Sequence, residues 1–173
     1  TTAAYKEALK EKGIFHHKAI IDFPDGSNDT VEDLDIYTFQ ISDGTSNTSS
    51  FDLGAAIAQQ LTLKINNIDG RFDEHDFNGA VITVQVGLEL LNGAVEWLDK
   101  GKFTAEPGEE SGNSISVKAF DDMTKFDQPY SLSKLVYPAT LGTIVRDACS
   151  CCGVTLASDT AAFDNNNFIV QNR

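Results

Sequence analysis

The sequence is short of everything that would place it in a membrane, on a phosphate backbone or in a disulfide-stapled fold. No apolar run in it approaches the roughly 18–20 residues that a membrane-spanning helix requires. Basic residues are outnumbered two to one: 13 Lys and Arg stand against 26 Asp and Glu, a formal charge of -13. Such a surface repels nucleic-acid backbones and anionic membranes, which argues against sequence-specific nucleic-acid binding. It suits a soluble surface, or a passage that a polyanion crosses without sticking. Cysteine is confined to one place, Cys149, Cys151 and Cys152 in "CSCC". An odd number in one short stretch builds no disulfide framework and fits synthesis in a reducing compartment. The opening "TTAAYKEALKEKG" lacks both an apolar signal core and an initiator Met, so it reads as a trimmed start that leaves a removed signal open. No G-x-S-x-G, Walker loop or G-x-G-x-x-G is present.

What the chain does have is alternation. At 41% hydrophobic over 173 residues it can bury a proper core. A short helix opens it, with Thr2 as cap, Ala4, Tyr5, Ala8 and Leu9 as stripe, and Gly13 past its end. The period then becomes two. Phe15, His17, Ala19, Ile21 and Phe23 share one face, and "PDGSND" makes a turn. Tyr37, Phe39 and Ile41 share the next face, before a polar loop, "DGTSNTSS". Ile57, Leu61, Leu63 and Ile65 follow, interrupted by Gln59. The cleanest strand is "AVITVQVGLEL", with Ala80, Ile82, Val84, Val86 and Leu88 inward and Thr83, Gln85 and Gly87 outward. "VEWLDKGKFTAEP" and "SISVKAFD" predict a strand pair around an exposed "GEESGN" loop. Half-buried strands joined by short turns imply an antiparallel barrel or sandwich.

The character changes between Ser131 and Pro138. "ATLGTIVRDACSCCG" has helical spacing, with Leu141, Ile144, Val145 and Ala148 as its stripe and Gly153 as its stop. "VTLAS" and "NNFIVQNR" read as isolated strands without partners, and an end inside a strand suggests an excerpt of a longer chain. The expected organisation is a β-barrel domain with its N-terminal helix over residues 1–130, and the truncated start of an α/β second domain over residues 131–173.

Several stretches hold residues that could carry chemistry. "NNIDGRFDEHDFNG" concentrates carboxylates, carboxamides and a histidine, and Asp69, Asp73 and Asp76 are its conceivable metal ligands. It departs from a calcium loop, having Gly in second position and no Glu in twelfth. The expectation is therefore a solvated Asx-Gly turn. His16 and His17 are adjacent on a strand and point to opposite faces, so they do not chelate one ion together; His17 is expected as a hydrogen-bonded core residue. His75 lies in the acidic loop. The three cysteines do not converge tetrahedrally on a helix, and a helix C-terminus disfavours a thiolate, so Cys149 and Cys152 are expected as small hydrophobes. Glu89 and Glu96 could be imagined as a glycosidase pair, but nothing singles them out among 26 carboxylates. Asn28 and Asn47 match the glycosylation sequon. Trp97 and Phe103 read as core anchors. No catalytic residue, cofactor-binding residue or metal ligand is assigned, and no cofactor is expected.

Taken in order, "YKEALKEKG", "AIIDF", "DLDIYTFQIS", "KINNIDGRFDEHDFNGAVITVQVG", "EWLDKGKFTAEP", "SISVKAFDDMTKFDQPY" and "YPATLGTIVRDACSCCGV" cover nearly the whole chain. In that order and spacing the sequence resembles the baseplate-hub or tail-tip proteins of phages and prophages of low-GC Gram-positive bacteria. The resemblance implies a mainly β fold with minor α: an antiparallel β-barrel akin to tail-tube and hub barrels, plus a small α/β element. It also implies a non-enzymatic virion structural component joining tail tube to baseplate, made in the host cytoplasm. Its partners would be other tail and baseplate proteins, with a homotrimer for the full-length form. Relatives can carry a C-terminal peptidoglycan hydrolase, and nothing in these residues matches one. A competing class is a β-rich cell-surface or carbohydrate-binding adhesin module; a third is a hydrolase fragment.

Overall fold

A computed structural model describes residues 1–11, 13–42, 58–128, 133–156, 166 and 168–171. The chain forms two compact units, Thr1–Asp121 and Asp122–Arg173.

The first unit is a mainly β body with one helix. Helix α1 (Ala3–Glu11) is followed by β1 (Phe15–Asp22), β2 (Asn28–Glu32), a 3-10 turn (Asp33–Asp35), β3 (Ile36–Ser42), β4 (Gln60–Asn66), β5 (Val81–Glu89), β6 (Val95–Ala105), β7 (Glu109–Ser111) and β8 (Ser114–Phe120). All pair antiparallel in one sheet of order β2-β1-β5-β6-β8-β4-β3, with β7 beside β8. The two ends of that path, β2 and β3, are consecutive in the chain and joined by the Asp33–Asp35 turn. Among the described residues, strand pairing does not close the expected barrel. The sheet nevertheless rolls, because the His17 ring on β1 packs 4.9 Å from the Phe39 ring on β3.

The two-residue rhythm built most of this core. Ala19, Ile21, Leu61, Leu63, Ile65, Ile82, Val84 and Ala119 are fully buried, and Ile115 and Val117 nearly so. Deviations from it have local causes. Tyr37 was expected to share a face with Phe39 and Ile41, but is 58% exposed. The β3–β4 register slips between Ile36 and Thr38, and the extra residue at this bulge turns Tyr37 out while Ile36 packs on the core. A second bulge, between Val84 and Gln85 opposite β6, makes Asp99 and Gly101 flank an extra Lys100. It reverses the parity of β6, so Phe103 is buried inside while Trp97 lies half-buried on the outer face. Trp97 is thus not a core anchor. It packs over Gly87, which faces outward as expected but is buried beneath the indole.

Thr2 caps α1 as expected, its Oγ1 accepting from Tyr5 N at 3.1 Å. Of the stripe only Ala8 is buried; Leu9 is 51% exposed. Phe15, at 46% exposure, lies where β1 has run past the core. Asn28 and Asp29, expected at the end of the "PDGSND" turn, instead begin a strand that runs to Glu32 around the fully buried Val31. Residues 109–113 of "GEESGN" are exposed but contain β7, and Gly108 is half-buried. The polar loop 43–50, Ile57 and the Asn47 sequon lie outside the described residues; Asn28 is exposed at the start of β2.

The second unit begins with a 3-10 turn (Asp122–Phe126) and holds β9 (Ala139–Thr140), α2 (Leu141–Cys152) and β10 (Ile169–Val170). Thr140 caps α2 through Thr143 N at 3.3 Å, and Gly153 ends it in the left-handed region at φ 66°. The stripe Leu141, Ile144, Val145 and Ala148 is half-buried. The segment "NNFIVQNR" does have a partner: β10 pairs with β9. Residues 154–156 of "VTLAS" are not a strand, and the rest of it is outside the described residues.

Candidate functional site

The acidic loop between β4 and β5 folds on itself through its own polar groups. Asn67 is the hub. Its backbone N–H donates to Asn113 O at 2.7 Å, its Oδ1 accepts from Phe72 N at 3.0 Å, and its Nδ2 donates to Asp73 Oδ1 at 2.7 Å. Gly70, at φ 71°, makes the tight turn back to Asn67 O. Asp69 accepts from Arg71 N at 3.4 Å and Asp76 from Asn78 N at 2.8 Å. Each of the three conceivable metal ligands is therefore held by a different local bond. Among the described residues no group of three or more His, Cys, Asp or Glu side chains is placed to hold a metal ion.

The expected solvated turn is also a plug. Phe72 and Phe77 are 1% and 3% exposed and join Phe23 in an aromatic cluster, with ring centroids 5.2–6.4 Å apart. His75 stacks on Phe23 at 4.3 Å and lies 3.7 Å from Asp25. The Asp25 carboxyl is held below its usual range, first by the Ser27 hydroxyl and then by the Ser27 amide. The signal missed in the sequence was the pair of phenylalanines inside an otherwise polar run, since polar loops that carry two aromatics seldom leave both in water.

Arg71 reaches out of this loop to the turn joining the sheet edges. Its Nη2 donates to Asp35 Oδ2 at 2.9 Å, its Nε lies 3.8 Å from Asp29, and its guanidinium sits 4.7 Å over the Phe72 ring. The same turn is held on its other side by the histidines. Asp33 receives the His17 amide at 2.7 Å, while His16 Nδ1 stands 2.6 Å and His17 Nδ1 3.2 Å from its carboxylate. The two imidazoles do leave β1 on opposite faces, as expected; both still meet Asp33, because β2 has ended at Glu32 opposite Lys18 and leaves the β1 edge free beside it. His17 is hydrogen-bonded, but it is 40% exposed along its side chain and not a core residue. Asp33 is held below the ordinary carboxylate range: partial burial opposes this, and the His17 amide and both imidazoles outweigh it.

Glu89 and Glu96 do not form a pair. The register Leu88↔Glu96 and Glu89↔Val95 puts them on opposite faces of the β5–β6 ladder. Glu89 faces His16, and Glu96 binds the Thr2 amide at 3.0 Å as well as its hydroxyl. Trp97 has Lys18 Nζ 4.0 Å above its ring, and that ammonium also pairs with Glu32 at 2.9 Å. Cys149 is buried and Cys151 and Cys152 are half-buried; Cys151 Sγ donates to Asp147 Oδ2 at 3.9 Å. A shallow depression lined by Thr30, Glu32, Asp33, Leu34 and Asp35 marks the corner between the edges, and Leu34 there is 94% exposed. No described helix is long and apolar enough to cross a membrane.

No protein-family model matches the chain. No curated protein matches it either. Among solved structures it is similar to a chain of the virion of the native gene transfer agent particle, with a TM-score of 0.50 and 12% identity. The likeness covers 82% of this chain and 52% of that one, so the sequence spans about half the length of its structural neighbour. At that identity what is shared is the fold.

Proposed function

We propose that the chain is a structural component of a phage or prophage tail, a baseplate hub or tail-tip protein that joins the tail tube to the baseplate. The observation that carries the reading is the fold likeness to a virion chain over most of the sequence. The order of sequence segments that resembles Gram-positive phage hubs supports it independently. In this reading residues 1–130 are a hub domain whose rolled sheet serves as a barrel, and residues 131–173 open an α/β domain. The full-length protein is a homotrimer within the tail, is made in the host cytoplasm, and carries no catalysis in this region. The charge of -13 fits a ring whose lumen passes DNA without binding it.

The test is the native mass of the full-length protein. A trimer is expected, seen as rings by electron microscopy. A strict monomer at high concentration overturns the hub assignment, and a basic lumen in the assembled ring overturns the charge argument.

A further inference from the structure

Both nitrogens of His16 face carboxylates from different elements. Nδ1 lies 2.6 Å from Asp33 Oδ2; Nε2, shielded from solvent and without a hydrogen-bond partner, lies 3.6 Å from Glu89 Oε2. An ionised carboxylate only accepts, and a neutral imidazole carries a single N–H. Only the imidazolium presents a donor to each side. Asp33 belongs to the turn that links the two sheet edges, and Glu89 ends β5. We propose that His16 is a proton-operated clasp: protonated, it ties the Asp33–Asp35 turn to the end of β5, and loss of the proton leaves a single N–H that cannot serve both carboxylates, so that tie is lost and the turn is held by its remaining bonds from His17 and Arg71.

The other charged groups at this corner leave that role to His16. On its own strand, His17 shares Asp33 through Oδ1, and Lys18 is turned to Glu32 and the Trp97 ring. From β6, Trp97 approaches with its ring centroid 6.4 Å away, and Glu96 faces the opposite side and holds Thr2. The His16 pKa lies above the ordinary imidazole value, chiefly through the bond to Asp33; partial burial opposes it, and the Asp33 and Glu89 charges add to it. The clasp is thus fully fastened below the ordinary value and opens as pH rises through the higher folded one.

The experiment is an NMR pH titration of the 173-residue chain, following the His16 ring, the His17 amide bonded to Asp33, and the Leu34 methyls as reporters of the turn. His16 is expected to titrate above about 6.5, with the amide and methyl signals moving at the same midpoint. H16Q is expected to abolish that transition. D33N is expected to bring the His16 midpoint down to the ordinary value or below it, and E89Q to lower it by less. A wild-type midpoint at or below the ordinary value overturns the proposal. So do turn signals that stay still through the His16 titration, or that keep their transition in H16Q. If H16Q does not fold, the wild-type, D33N and E89Q titrations decide the matter alone.

Discussion

Truncating Phe72 separates a plug from a decorated turn. The ring is 1% exposed, packs against Phe23 and Phe77, and has the Arg71 guanidinium over its face. Phe72→Ala removes those contacts and leaves a cavity, which in buried sites costs about 3–5 kcal/mol. The backbone around it is pinned by Asn67, so little of the cavity can collapse. Unfolding entropy of about 2.1 cal/mol/K per residue, taken over Thr1–Asp121, converts the loss into a Tm drop of about 12–20 °C. The assay is urea and thermal unfolding followed by fluorescence of Trp97, the single tryptophan, which lies in the same unit. Ile68→Ala is the matched control, because Ile68 sits in the same loop at 70% exposure; its cost is expected within about 0.5 kcal/mol. A Phe72→Ala loss below about 1 kcal/mol with an unchanged m-value would show that the loop does not seal the core.

Four other outcomes are open to measurement. Gly87→Ala places a Cβ against Val95 Cγ1 and 2.8 Å from Trp97 Cε3, so it is expected to cost about 1–3 kcal/mol and to shift the Trp97 emission; unchanged emission would mean the indole is not seated there. Asn67→Ala removes the acceptor for Phe72 N and the donor to Asp73, an expected loss of about 1–2 kcal/mol by urea unfolding, whereas a neutral result would make the hub redundant. Thr140→Ala deletes the α2 cap and is expected to cost the second unit about 1 kcal/mol, read as lost helicity by circular dichroism with the Trp97 transition unmoved. Stability of the first unit is expected to fall on both sides of neutrality. The raised His16 value gives stability that is lost as pH rises through it, and the lowered Asp33 value gives stability that is lost as pH falls through it. Thermal unfolding from pH 3 to 9 checks this, and an alkaline limb equally steep in H16Q would refute the histidine's share.

The period-two pattern was legible wherever a strand runs straight across the core. Leu61, Leu63 and Ile65 on β4 and Ile82 and Val84 on β5 fell where alternation put them. It failed at the bulges, because one inserted residue reverses every later side chain and nothing in the alternation marks the insertion. Gly101, at φ 147°, is the only trace of the β6 bulge in the sequence, and Tyr37 gave none. The edge strand β2 escaped for a different reason: five residues with one buried side chain, Val31, carry too little pattern to be read. For the acidic loop, the local turn chemistry was legible, since Asn67, Asp69 and Gly70 bend the chain through neighbours in sequence. Its sealing role was not, because Phe23 is distant in sequence and joins Phe72 and Phe77 only once the sheet has rolled. The meeting of His16, His17 and Asp33 was hidden likewise, as it needs β2 to stop before the β1 edge does.

A rolled sheet has two ends to seal and two edges to protect, and the distribution of polar residues follows from that. At the end where β1 begins and β5 finishes, α1 lies against β5, with Ala8 and Leu88 fully buried there and Glu96 holding Thr2. At the other end the Asn67-centred loop inserts Phe72 and Phe77. The edges β2 and β3 meet at one turn, held by His16 and His17 from one side and Arg71 from the other. Edges left unpaired invite indiscriminate strand addition, and this sheet blunts them with a short β2, carboxylates at Asp29 and Glu32, and the Tyr37 bulge. With a charge of -13, two copies repel unless specific contacts outweigh the repulsion. His16, His17 and Arg71 fasten the turn between those edges, while Asp69, Asp73 and Asp76 are bound within the plugging loop itself.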